Sequence, residues 1–574
     1  MKIPRFEDMT FEVPTKEALQ AEFEAIHAAF DAATTTAERV AAIDAWTASR
    51  DRRQTWSSLV GLHFSQDTKN PDFQAAREYR DQIEPALTDL DVAFKRKLLA
   101  SPERATLEAR LGKTAFALWE ADARSFSPAI EDELVQESKL QSEYTQLLAS
   151  ARIPFRGTDY NLSSIGRFLV DADRATRREA DRARWTWFAA QRPQLDRIFD
   201  DLVRLRHGMA KKLGLEDFVE LGYLRMQRID YDRKDVEALR AQVRSDIVPL
   251  CQALIAQQEA VLGLAPGELR SWDEAVFDPR GNPAPLGDHD WMVERASEMF
   301  EEMGHGLDSF FGLMRAHGLL DLKARDAKAP GGFCTSMPTY GVPFIFANFN
   351  GTKGDVEVFT HEVGHAFQCY RSRDQVLPDY YWPTYESCEI HSMSLEFLTW
   401  PWMEKFFGDD AERFRRIHLT QALLFLAYGT AVDHFQHLVY ETPAASPAER
   451  HAMWQEMERS YMPWRSYEDT PHVADGAFWQ RQMHIYGSPF YYIDYVLAQI
   501  CALQFWVQAE ADRVDAMRRY EALCERGGQA SFQSLARSAG LVSPFDESCL
   551  IGVVAQARAF LGGGGHGKAC GGGR

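Results

Sequence analysis

The stretch FTHEVGHAFQCY, residues 359–370, sets two histidines four positions apart, His361 and His365, with Glu362 beside the first. On an α-helix these histidines stand about 6 Å apart along the axis and about 40° around it, so both imidazoles reach one ion on the same side. Glu362 lies about 100° from His361, near enough to meet a metal-bound water without being a ligand. This is the arrangement by which zinc hydrolases hold their metal and their general base. It requires a helix, and Thr352 followed by Asp355 reads as a capping box for one running from about residue 353 to about residue 370.

A catalytic zinc takes three protein ligands and keeps a fourth position for water, so a third ligand is needed. Cys369 is on the same helix, but its distance from His361 is about 12 Å along the axis, too far to share an ion. The segment RSRDQVLPDYYWPT, residues 371–384, ends that helix with Pro378 and Pro383. A second amphipathic stretch follows, YESCEIHSMSLEFLTWP from residue 385, which offers Glu386, Glu389, His391 and Glu396. With Glu389 facing the metal, Glu396 lies about 20° away two turns on, and His391 points about 200° round to the opposite side. Glu389 is therefore expected as the third ligand and Glu396 as the acceptor for a ligand imidazole N–H. Glu386 is near the same face and stays the alternative; in the first turn its simpler purpose is to oppose the helix dipole.

The rest of the chain has the material for a large enzyme. It has 574 residues, 45% of them hydrophobic and 12% aromatic, a length that suggests three or four domain-sized units. A formal net charge of -20 argues against a nucleic-acid or anionic membrane partner. The polar, proline-broken N-terminus lacks a secretory pattern and no later run offers about 18 apolar residues, so the expected location is cytoplasmic. Eight cysteines without CxxC spacing fit reduced thiols.

Residues 15 to about 330 carry a helical period. The character changes at APGGFCTSMPTYGVPFIFANFNGTKGD, residues 329–355, which predicts a small hairpin or edge-strand pair with FIFANFN as its best strand. Helices resume to about residue 561, and the glycine-rich residues 562–574 are expected to be disordered. Near residue 488, Ser488 and Pro489 are good N-cap and N1 residues for a helix with Tyr492 and Tyr495 on one face. His484 and Tyr486 then fall in the preceding loop.

HEVGHAFQ followed by ESCEIHSMSLEFLTWP resembles the oligoendopeptidase F and thimet oligopeptidase family of zinc metallopeptidases. In that family the second motif has its ligand glutamate followed by a serine three and a glutamate seven positions later, a spacing met here by Glu389, Ser392 and Glu396 and not by Glu386. The resemblance extends to PFIFANFNGTKGDVEVFTHEVGH, to HIYGSPFYYIDYVLAQ from residue 484 and to LGYLRMQRIDY from residue 221, and covers roughly residues 200–556. It implies a mainly α, clam-like body enclosing a deep channel, with a small β-sheet beside the metal helix. Residues 1–200 would form part of the channel wall and residues 201–561 the catalytic region.

The function implied is zinc-dependent cleavage inside short peptides, with His361, His365 and Glu389 on the Zn²⁺ and Glu362 as general base. His484, Tyr492 and Tyr495 would contact the substrate and transition state, and Tyr486 would replace a tyrosine of the thimet branch near Pro489. The strand FIFANFN, through Ala347 and Asn348, would align the peptide as an exposed sheet edge does. The alternatives are a zinc carboxypeptidase or dipeptidyl carboxypeptidase of the same fold, or a catalytically silent peptide-binding relative. Oligomeric state is left open.

Overall fold

The computed structural model describes residues 3–562 apart from Asp469, so the glycine-rich segment lies, except for Gly562, outside the described residues. The fold is mainly α with two small sheets. At the N-terminal end α1 (Lys16–Ala32), α2 (Thr36–Gln66), α3 (Pro71–Leu99) and α4 (Lys113–Ser125) surround a core of Phe23, Phe30, Ile43, Trp46, Phe94 and Trp119. Their starts follow from local chemistry: Thr35 and Glu38 form a capping box before α2, and Asn70 caps α3 ahead of Pro71. Leu377 and Tyr380, from the segment 371–384, complete the same core.

After α5 (Glu131–Ala149) and the hairpin β1 (Ile153–Phe155) with β2 (Thr158–Tyr160), the chain enters α6 (Arg174–Lys212), then α7 (Phe218–Arg225). The division placed at residue 200 falls inside α6, a continuous helix of 39 residues. That division followed the limit of the family motifs and not a break in the chain, and α6 carries none there.

The second sheet has the order β3-β5-β4, with β3 (Leu320–Lys323), β4 (Phe333–Met337) and β5 (Val342–Phe349). FIFANFN lies in β5, which is the central strand and not an edge: β4 pairs with it antiparallel, Phe333 opposite Phe346, and β3 pairs parallel, Leu320 opposite Ile345. β3 is only four residues long and emerges from a helical region, so periodicity gives no sign of it. The two edges belong to β3 and β4.

The strand β5 feeds α8 (Lys353–Arg371), which begins and ends within a residue of expectation. Its start is held differently: the Thr352 hydroxyl makes no cap bond, while the Asp355 carboxylate accepts from the N–H groups of Asn350 and Gly351 at 3.0 and 2.6 Å. α9 (Tyr385–Leu398) packs against α8 and is backed by α12 (Tyr492–Ala511), which packs in turn on α10 (Ala411–Glu441); the short α11 (Met483–Gly487) precedes α12. The approach of α8 and α9 is close. A Cβ on Gly364 would stand 2.6 Å from Ser392 Cα and 2.7 Å from the His391 carbonyl oxygen.

Gly364→Ala should therefore force the two helices apart, with a loss of roughly 3 kcal/mol in urea unfolding and of most bound metal. Gly312, a helical glycine with nothing within 4 Å of its missing Cβ, is the control. Its alanine variant should match or slightly exceed the parent in stability; equal behaviour of the two variants would refute the steric argument.

Candidate metal centre and active site

α8 and α9 bring three ligand atoms together. His361 Nε2 and His365 Nε2 lie 3.3 and 3.4 Å from Glu389 Oε2, and the donor atoms of this trio fall within 4.8 Å of one another. Three ligand atoms placed tetrahedrally at metal–ligand distances of about 2.0–2.1 Å are about 3.3 Å apart, so the two nitrogens and one oxygen fit a single ion of zinc type. Burial alone would push Glu389 up, but the two histidines outweigh it and hold the carboxyl well below its usual range. Its Oε1 accepts from the Tyr491 hydroxyl at 2.9 Å and its Oε2 from Ser392 at 3.0 Å. Glu386 lies elsewhere, 1% exposed in the electrostatic neighbourhood of Asp494 and Arg228, and is not among the three. His391 points away, as helical phase requires, with Nδ1 2.7 Å from the Ser387 carbonyl.

The backing of His361 goes further than expected. Its Nδ1 donates to Glu396 Oε1 at 2.7 Å, which leaves the Nε2 lone pair for the metal. Glu396 Oε2 in turn accepts from His418 Nε2 at 2.8 Å, and His418 Nδ1 accepts from Trp400 Nε1 at 3.0 Å. An indole N–H only donates, so Trp400 fixes the proton of neutral His418 on Nε2. Burial raises the Glu396 carboxyl, and the two imidazoles more than offset this and hold it at about 2. His418 and Trp400 lie outside both motifs; sequence offered no signal for His418 beyond a histidine on an amphipathic helix.

A cavity of about 560 Å³ opens on the trio. Glu362 lines it, 7% exposed, with Oε2 free of any hydrogen bond, and burial raises its carboxyl despite the opposing histidines. Tyr491 and Tyr495 line it as well. Tyr492, expected there, packs instead near Phe425 and Tyr428. The register changes because α12 begins at Tyr492, not at Pro489, after a turn in which Phe490 has φ +68°. His484 sits on α11 beside Tyr491 and Tyr495, ring centres 5.8 Å from each. Its Nδ1 accepts from Gln482, whose Oε1 accepts from Tyr428, so neutral His484 carries its proton on Nε2.

Of the expected substrate contacts only Tyr495 lines the cavity; His484, Tyr492, Tyr486, Ala347 and Asn348 do not. Tyr486 is fully buried, stacked on Tyr144 at 3.9 Å, with its hydroxyl on the Leu195 carbonyl; the loop predicted around it is the helix α11, which turns it inward. Ala347 is fully buried, and Asn348 donates to the carbonyls of Ala329 and Gly331 at 2.8 Å, pinning the loop that leads into β4. The strand residues that line the cavity are Phe333 and Cys334 of β4, with Gly332 before them.

Residues 6–126 match the peptidase M3 N-terminal domain and residues 307–553 match peptidase family M3. A structure solved under the name oligoendopeptidase F is 44% identical, with a TM-score of 0.93 over 97% of this chain and 99% of the other. The chain belongs to peptidase family M3. A structure of Pz peptidase A with an inhibitor is 43% identical to this M3 chain, with the same coverage and a TM-score of 0.93. An oligoendopeptidase F structure from Bacillus anthracis is 42% identical, with a TM-score of 0.88 over 97% of this chain and 98% of the other. A search of curated protein sequences finds no match.

In this M3 peptidase the chain from Trp400 to His361 carries a prediction of its own. His418→Leu keeps the volume but leaves Glu396 with one partner, and should weaken metal binding roughly tenfold or more in a chelator competition. Tyr492→Phe, remote from that chain, should leave metal affinity within twofold; a His418 variant that holds metal equally well would remove His418 from the centre.

Proposed function

We propose that this M3 peptidase is a zinc-dependent endopeptidase of short oligopeptides. The observation that carries the reading is the convergence of His361, His365 and Glu389 on one point of a cavity that Glu362 also lines. The similarity to Pz peptidase A, whose structure was solved with an inhibitor, supports a peptidase reading.

His361, His365 and Glu389 would hold the zinc, which when bound would supply Lewis acidity toward a water and the scissile carbonyl. The Glu362 carboxylate is the base that takes a proton from the attacking water and returns it to the leaving amine. His484, with its proton on Nε2, and Tyr495 are the donors for the oxyanion, each worth about 3 kcal/mol. Tyr491 has a different task here, holding Glu389 Oε1 so that Oε2 faces the histidines. The edge strand β4 aligns the peptide backbone, the part first assigned to FIFANFN.

The chain's acidic charge fits a partner that is neither nucleic acid nor membrane. Among the described residues no helix is long and apolar enough to cross a membrane, and a cytoplasmic place is part of the proposal.

Glu362→Gln should keep its zinc and lose turnover by roughly a thousandfold. Glu389→Ala should lose zinc while Glu386→Ala retains it; near-parental turnover in the first variant, or equal zinc in the other two, rejects these roles. Peptides blocked at both ends should be cut internally. If blocked peptides survive while free ones are trimmed from the C-terminus, the carboxypeptidase reading replaces this one.

A further inference from the structure

One wall of the cavity is built from the N-terminal helices. Arg50 of α2, Lys95 of α3 and Asp122 of α4 line it, joined by Gln227 just after α7 and by Asp379. These groups form two linked sets. Arg50 is spent on Asp379, with bonds of 2.6 and 3.1 Å to its two oxygens, and Trp119 donates to the same carboxylate. Asp91, behind them, is held by Arg53 and Trp46. Asp122 accepts from Lys95 Nζ at 2.8 Å on one oxygen and from Gln227 Nε2 at 2.9 Å on the other.

Each of these carboxylates has at least two partners, Asp91 also lying 3.8 Å from Arg50 Nε, and Lys95 is in the electrostatic reach of Asp91 and Asp379 as well as Asp122. Lys95 has three N–H donors and, among the described residues, makes one hydrogen bond, although its side chain is only 10% exposed. An ammonium with donors left over binds an acceptor where one is offered. Those donors belong to a residue of the reaction cavity. Gln227, which completes the set, holds a left-handed backbone at φ +53° that its surroundings have to maintain. It sits in LGYLRMQRIDY.

We propose that Lys95, oriented by Asp122 and Gln227, is an anion subsite that recognises a carboxylate of the peptide substrate. The inference rests on the peptidase reading above. It adds a specificity element on the wall contributed by the N-terminal region. The carboxylate has two possible sources, the peptide's C-terminus or an acidic side chain, and both offer the same paired oxygens to the ammonium.

The test uses zinc-loaded enzyme and matched peptides. One pair has the same sequence with a free or an amidated C-terminus. A second pair, amidated throughout, carries Glu or Gln at each position in turn. The parent enzyme should favour the carboxylate member of one pair by roughly tenfold to a hundredfold in kcat/KM, chiefly through KM. The pair that shows the preference names the source. In Lys95→Met the ratio should fall to near one. Because that variant leaves Asp122 without its ammonium, the double variant Lys95→Met/Asp122→Asn removes both charges and should give the same ratio. A parental ratio near one for every pair, or a ratio that persists in both variants, overturns the subsite and leaves the peptidase reading standing. Failure of the parent to cut any peptide overturns both.

Discussion

Gly364 is the point on which the centre turns. Two helices that meet through side chains keep their axes 8–10 Å apart. Here the α8 glycine touches the backbone of α9 at Ser392 and His391. At that spacing a glutamate on α9 reaches histidines on α8 without spanning a gap, and Ser392, one turn beyond Glu389, has its hydroxyl on the ligand carboxylate. Larger residues at the contact would separate the helices by an ångström or more, enough to remove the third ligand from the first two. The glycine in HEVGH therefore matters to the metal as much as the residues that touch it.

α10 holds the rest of the site from behind. His418 supports Glu396, Tyr428 supports Gln482 and through it His484, and Gln436 accepts from the Phe490 N–H at 2.9 Å. Gly429 on the same helix lets α12 approach, since a Cβ there would meet Val496 at 2.5 Å. The Phe490 turn is also gripped on its other face. Its carbonyl accepts from Arg228 and its ring occupies the space over Gly222, where a Cβ would be 2.4 Å away. A bulky residue at φ +68° costs energy, and persists because these contacts over-determine it. The result is to present Tyr491, the next residue, to Glu389. Thus Gly222 and Arg228 of LGYLRMQRIDY act on the metal ligand through one strained turn.

The convergence of His361, His365 and Glu389 was legible because its geometry is local: helical phase within α8 and α9 fixes who shares a face, and family spacing separated Glu389 from Glu386. Glu396 followed from the same phase. What sequence missed was set by tertiary contact. The Phe490 turn shifts the start of α12, so Tyr491 and not Tyr492 meets the cavity. A four-residue strand in helical surroundings makes β5 central and leaves the edges to β3 and β4. Tyr486 is turned inward by a helix of five residues, below the length at which periodicity gives a signal. His418 and Lys95 have no motif around them, and only convergence in space distinguishes them from ordinary polar residues.

The connection between the metal helices also joins the centre to the N-terminal region. The segment 371–384 leaves α8 after its histidines and enters α9 before its glutamate, and on the way it enters the N-terminal core. Tyr380 bonds the Leu111 carbonyl at 2.7 Å and the Ala115 N–H at 3.1 Å, while Asp379 pairs with Arg50. Burial raises Asp379, but Arg50 outweighs it and holds the carboxyl at about 2, so the pair is ionised at neutral pH. Breaking a buried pair from one side leaves an uncompensated charge at a cost of about 3–5 kcal/mol. The cavity wall given by the N-terminal helices is thus fastened to the loop that joins α8 to α9. A rearrangement that moved that wall would load the loop between the ligands, which couples the shape of the cavity to the geometry of the centre.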